Sequence, residues 1–330
     1  MQTGIRENTA IKESWWVIHP LTPEDSAAMT ALRSAVAAMK GKLAGIAARA
    51  PFNGIMEHVT PPDGVTFEQD TVGGISGWWA KPAQAQKGAA ILHLHGGWFN
   101  WGTAAAFRNF VGHIAVAAGV DAFIPDYRLA PEHPFPAALK DAEACYRGLV
   151  DRGMNKIALT GDSAGGNLAL VLLSIATARA GSPGIAPAAA VALSPATDLT
   201  LAGESFETRA QADPYFIKSQ VAALVRSYLG ESDPKNPLAS PLFGNLTGLP
   251  PLRVHVGDDE VLLDDSRRYV KRAVAAGVDA KLDVWMGMPH GFVNSVGSMN
   301  AANQALRAIG TFLSGLLEGA SAAPHSHRQN

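Results

Sequence analysis

The spacing of apolar and polar residues divides the chain into stretches of different character. Residues 1 to about 60 open with Trp15 and Trp16, then a helix start at Thr22-Pro23-Glu24-Asp25 and an alanine-rich amphipathic run from Ser26 to Ala50. This segment carries no β signature. From Val65 the pattern changes to short β-like runs, FEQDTV and GISGWWA, joined by Gly73-Gly74 as in a hairpin. An antiparallel start to a sheet is expected there.

After Pro82 apolar strand-like runs alternate with helix-period segments: strands at 89–95, 120–125, 156–162 and 188–194, and helices at 104–118, 136–152 and 164–180. The alternation resumes with strands at 252–258 and 280–286 and helices at 263–276 and about 299–317. Repeated βα units imply an α/β fold, a mostly parallel sheet with helices on both faces. Residues 200–250 break the rhythm with Pro214, Pro234, Pro237, Pro241 and Pro250 around one helical run, Ile217 to Leu229, and read as an excursion over the rim of the sheet. Residues 319–330 are small and polar and read as a flexible tail, and no internal repeat is visible.

Composition narrows the function classes. With 330 residues, 47% hydrophobic and 17% charged, the chain can bury a large core, and its net charge of −2 leaves no footprint for nucleic acid. The lone Cys145 makes no intramolecular disulfide and no zinc or dithiol spacing, which fits a reducing compartment. Arg6, Glu7, Lys12 and Glu13 interrupt the order of a signal peptide, and the apolar run Leu168 to Thr177 is about half of what a bilayer requires. A cytoplasmic location with no membrane span is expected.

The chemistry starts at GDSAGG, residues 161–166, between a strand and a helix. Gly-x-Ser-x-Gly in that context forms a tight turn that lifts Ser163 above the sheet at a helix N-terminus, where free N–H groups favour developing negative charge. The second element, HGGW at 95–98, ends a strand; the amides of Gly96, Gly97 and Ala164 would hold a tetrahedral oxyanion. His93 and His95 share a strand face, but no carboxylate or third histidine follows to complete a metal set. His290, in the loop after the strand at 280–286, is the best placed general base, whereas His255 lies within a strand and reads as packed. For the acid that orients the imidazole, VGDDEVLLDDS offers Asp258, Asp259, Glu260, Asp264 and Asp265, and spacing alone leaves all five open.

From about residue 89 to 293 these motifs stand in the order found in the hormone-sensitive lipase family of α/β-hydrolases, the bacterial family IV esterases. The chain resembles that family in HGG before an aromatic residue, DYRLAPEHPFPAALKDAEA (126–144), GDSAGGNLAL (161–170), LSPATDLT (193–200), SPLFGNLTGLPPLRVHVG (240–257) and PHGF (289–292). The resemblance implies a serine carboxylesterase acting on short to medium acyl esters, a small-molecule substrate, through an acyl-enzyme. It implies no cofactor and no metal, and leaves room for a homodimer. The family's acid opens a string like Asp-Pro-Leu-x-Asp-Glu; aligned here it falls on Glu260, with Asp259 as its rival, so the implied triad is Ser163, His290 and Glu260. Asp264 and Asp265 then line the start of the next helix, and Asp126, Tyr127 and Arg128 buttress the oxyanion loop. Trp98 stands where the family usually has a third glycine, which puts bulky tertiary-alcohol esters in question.

By the same resemblance, the N-terminal segment (1–60) and the excursion at about 200–240 cap a catalytic domain spanning 61–318. Trp15 and Trp16 are candidates to line the cap, and Trp98, Asp162, Tyr215, Phe216 and Phe292 to line the substrate pocket. Lactonase or amidase chemistry shares the triad. The plant hormone receptors that resemble this family lose a triad member, whereas this chain keeps all three.

Overall fold

The computed structural model describes residues 15–180 and 185–318. The tail at 319–330 and the first fourteen residues, on which the leader reading rests, lie outside them. Nine strands form one sheet: β1 (Trp16–His19), β2 (Val65–Val72), β3 (Ile75–Pro82), β4 (Ala89–Leu94), β5 (Ala122–Pro125), β6 (Lys156–Asp162), β7 (Ala189–Leu193), β8 (Leu252–Gly257) and β9 (Ala280–Trp285). Their order is β1-β9-β8-β7-β6-β4-β5-β3-β2. Only the pairings of β3 with β2 and β5 are antiparallel. Gly73 and Gly74, both at positive φ, make the two-residue hairpin turn, as their lack of a Cβ allows.

The helices are α1 (Pro23–Val36), α2 (Arg49–Glu57), α3 (Ala104–Ala118), α4 (Ala137–Asp151), α5 (Ala164–Ala178), α6 (Ser205–Thr208), α7 (Lys218–Leu229), α8 (Leu263–Ala275) and α9 (Asn300–Leu317). One apolar layer joins the sheet to α3 and α9 through Phe107, Phe110, Ile309 and Leu313, with Met29 of α1 and Met56 of α2 at its margin. The other joins it to α4, α5 and α8 through Leu139, Leu168, Leu172, Tyr269 and Val270, and extends to Val221 and Tyr228 of α7. The central strands β4, β5 and β7 are buried along their whole lengths, and β6 beyond its half-buried Lys156, which is why they read as continuous apolar runs. The run Leu168 to Thr177 belongs to α5 at the middle of this layer, and among the described residues no helix is long and apolar enough to cross a membrane.

Two expectations for the N-terminal segment need correction. Residues Trp16–His19 are a strand, paired in parallel with β9 from Trp16 opposite Leu282 to His19 opposite Trp285. Four residues are too few to display alternation, so the pairing comes from the neighbouring β9 edge rather than from local pattern. The amphipathic run from Ser26 to Ala50 is not one helix: α1 ends at Val36, and Gly41 and Gly45, at φ 72° and 57°, turn the chain before α2.

β4 connects to β5 on one side, and the chain then returns to lay β6 against the opposite edge of β4. That reversal leaves a crevice outside the carboxyl ends of β4 and β6, where open α/β sheets bind ligands. HGGW leaves β4 and Ser163 leaves β6 at this point.

Candidate active site

Ser163 sits between β6 and α5 with φ 55° and ψ −119°, a backbone state that costs on the order of 1–3 kcal/mol for a residue with a Cβ. The turn is held from both sides: the Ser163 amide donates to Leu193 O at 2.8 Å, and Ser163 O accepts from Asn167 N and Ala196 N. Its tightness requires Gly165, where a Cβ would stand 1.9 Å from Leu94 O. Ser163 is 4% exposed.

His290 follows β9 in a loop, and its Nδ1 lies 2.5 Å from Glu260 Oε2. Glu260 follows β8 and is fully buried. Its other oxygen, Oε1, accepts from Ser194 Oγ at 2.7 Å and from Gly257 N at 2.8 Å. A buried carboxylate needs such donors to remain charged, and three partners fix its orientation toward the imidazole. Burial pulls the His290 pKa down, but the charge and hydrogen bond of Glu260, with smaller contributions from Asp213 and Asp162, carry it above its ordinary value of 6.5. Nδ1 faces the carboxylate, and Nε2 makes no hydrogen bond among the described residues. His255 is different: burial pushes it down to about 4, and Trp285 Nε1 donates to its Nδ1.

The other four acidic residues have other partners. Asp259 Oδ2 meets Arg33 of α1 at 2.5 Å, and Asp258 accepts from the Gly287 amide. Asp264 accepts from Ser205 N at 2.8 Å. Asp265 accepts from Thr197 N and Asp198 N, joining the first turn of α8 to the loop after β7.

In the loop after β4, Gly97 at φ 116° lets its carbonyl accept from both Asn100 N and Trp101 N. Tyr127 Oη donates to His95 O at 2.6 Å, and its ring stacks on His95 with centroids 4.2 Å apart. Trp98 and Phe99 both lie at positive φ, 52° and 62°, unusual for side chains of this size. The Trp98 ring is 1% exposed and meets Phe216 edge-on at 5.6 Å; Phe216 meets His290 in the same way at 5.2 Å. Among the described residues the amides of Gly97 and Ala164 donate to no protein group.

Residues 91–294 match the family model described as the alpha/beta hydrolase fold. A solved esterase from the bacterial hormone-sensitive lipase family superposes with a TM-score of 0.83 at 38% identity, covering 91% of this chain and 100% of that one. The chain belongs to the hormone-sensitive lipase family of α/β-hydrolases. It is similar to an acetyl-hydrolase from Streptomyces hygroscopicus, 41% identical over 222 residues, 67% of this chain and 73% of that one. It is also similar to EstE5, solved after soaking with p-nitrophenyl butyrate, at 37% identity and TM-score 0.80 over 90% of this chain and 99% of that one. This member of the family is a carboxylic ester hydrolase.

Some expected site residues of the esterase have different tasks. The Gly96 amide donates to Asp162 Oδ1 at 3.0 Å, so it is already engaged, and the Asp162 carboxylate holds the loop after β4. That contact requires glycine at 96, where a Cβ would stand 2.2 Å from Asp162 Oδ2. Phe292 is 1% exposed and packs on Trp285 in the layer of α3 and α9, away from the Trp98–Phe216–His290 row. Trp16 lies in β1 under the guanidinium of Arg267 from α8, with Trp15 beside it, so this pair lines the sheet edge and not a cap. Tyr215 is half-buried, desolvation pushes its hydroxyl up to about 12, and its carbonyl accepts from Gly41 N. Sequence reasoning missed Ser194, Arg33 and Asp213, each of which grips the acid loop from a distant stretch of chain.

Proposed function

We propose that the esterase hydrolyses short to medium acyl esters with Ser163 as nucleophile, His290 as general base and Glu260 as the residue that orients it. The observation that carries this reading is the Glu260 carboxylate, buried and held by Ser194 and Gly257 on one oxygen and by His290 Nδ1 on the other. This holds the tautomer that leaves Nε2 free to take a proton.

Ser163 Oγ attacks the ester carbonyl carbon as its proton passes to His290 Nε2. The amides of Gly97 and Ala164 receive the oxyanion, with the N-terminus of α5 favouring the charge. Collapse breaks the bond to the alcohol oxygen, which takes the proton from His290 and departs, leaving Ser163 acylated. A water then gives a proton to His290, attacks the acyl carbon and releases the carboxylic acid as Ser163 regains its proton.

The N-terminal segment and the excursion act together as a cap: Arg33 donates to Ala212 O, Lys40 to Ala210 O and Gln220 to Leu43 O. The aromatic row Trp98, Phe216 and His290 narrows the space over Ser163 and favours small acyl groups. An acetyl-hydrolase relative and a neighbour soaked with a butyrate ester support the same size class. The test is steady-state hydrolysis of p-nitrophenyl acetate, butyrate and decanoate by wild type and Ser163→Ala. Loss of all turnover in the variant and a fall in kcat/KM from butyrate to decanoate are expected; serine-independent turnover or a preference for decanoate refutes the reading.

A further inference from the structure

Asp213 lies in the excursion, three residues before Phe216, and is 0% exposed. Among the described residues its carboxylate contacts no cation, yet it is fully engaged. Oδ1 accepts from Tyr215 N at 2.8 Å and Phe216 N at 2.9 Å, and Oδ2 accepts from Val261 N at 3.0 Å. The first pair is an ordinary Asx turn, which asparagine supports equally well and serine more weakly. The third bond is different, because Val261 directly follows Glu260. Only a carboxylate offers an acceptor to both sides: an asparagine would turn its NH₂ toward one of the N–H groups, and a serine oxygen cannot reach both.

One side chain therefore joins two parts of the site. It anchors the backbone beside Glu260, and it fixes the loop that sets Phe216 edge-on against His290. We propose that Asp213 is a positioning residue for the Glu260–His290 pair, holding the acid loop and Phe216 in one frame from the cap side. The inference rests on the triad reading given above. Charge acts in the same direction: with Glu260 and Asp162, Asp213 is one of three acidic groups whose fields hold His290 protonated to higher pH. The other groups around this cluster are Asp258 and Asp259, Arg33 and Arg209, which bear on Asp259, and Tyr215.

The test uses the full chain with Asp213→Asn, which keeps the turn at 215–216, and Asp213→Ser, which keeps it more weakly. Hydrolysis of p-nitrophenyl butyrate is measured from pH 5 to 9 beside wild type and Ser163→Ala. In both variants kcat is expected to fall about tenfold or more, because displaced reacting groups lose rate steeply, with KM changed by no more than about threefold. The acid limb of kcat/KM is expected to move to lower pH as a negative charge near His290 is lost. Wild-type kcat with an unmoved acid limb in either variant makes Asp213 a turn cap only and overturns the proposal. If Asp213→Asn does not fold, Asp213→Ser decides; if neither folds, Asp213 is a folding residue and the proposal fails. Turnover surviving in Ser163→Ala sinks the triad reading instead, so the two failures are distinguishable.

Discussion

Glu260 and His290 meet at 2.5 Å while the adjacent Asp259 turns outward to Arg33 at the same distance. Two neighbouring carboxylates on one loop thus have separate partners, one in the site and one in the N-terminal helix α1. Glu260→Gln keeps the shape and removes the charge that stabilises imidazolium. A loss in kcat on the order of a thousandfold or more is expected, as for triad acids generally. Asp259→Asn removes a partly exposed ion pair worth about 1 kcal/mol or less, so kcat is expected to stay within about threefold of wild type. Kinetics on p-nitrophenyl butyrate decide, and the reverse order of losses assigns the acid to Asp259.

The pH profile follows from the sign of the His290 shift. In the proposed mechanism the ring must be neutral to accept the Ser163 proton, and its pKa is shifted above 6.5 because Glu260 outweighs the effect of burial. The acid limb of kcat/KM is therefore expected to have its midpoint above pH 6.5, with activity rising through neutrality. A midpoint at or below that value contradicts the ion-pair geometry.

Trp98 sits at φ 52° in a position suited to glycine, and its buried ring closes on Phe216. Trp98→Gly relieves about 1–3 kcal/mol of backbone strain but forfeits about 3–5 kcal/mol of buried aromatic packing. A lower melting temperature is expected. The vacated space is expected to raise kcat/KM for tert-butyl acetate relative to p-nitrophenyl acetate; an unchanged ratio removes Trp98 from the substrate wall.

Tyr127→Phe tests the support of the loop after β4, the proposed oxyanion loop. It deletes the donor to His95 O in a buried setting and leaves that carbonyl unpaired, at a cost of about 1–3 kcal/mol. Denaturant unfolding should show this loss with an unchanged slope, together with a fall in kcat as the loop loosens. Wild-type stability means that the hydroxyl bond is dispensable.

The sheet and its helices were legible because β4 to β7 are buried over nearly their full length and α3, α5 and α9 keep a helical period between clear breakers. Strand β1 was not, since four residues hold no period and the pairing with β9 is long-range. Ser163 and His290 were marked by glycine-rich motifs at strand ends, whereas spacing alone left five acids open and only the family resemblance singled out Glu260. What separates Glu260 from Asp259 in space is Ser194, Gly257 and Arg33, and no local pattern ties those residues together. The hydrogen bond of the Gly96 amide was not legible for a similar reason: its acceptor, Asp162, belongs to a different strand end.

Mass spectrometry of the acylated intermediate tests the central claim most directly. Rapid acid quenching of the enzyme with excess p-nitrophenyl butyrate, followed by digestion, should find one butyryl group on the peptide containing Ser163. Glu260→Gln is expected to accumulate it more slowly, and Ser163→Ala to show none. A butyryl group on another side chain, or steady turnover with Ser163 unmodified in the quenched enzyme and in single-turnover time courses, would contradict the account.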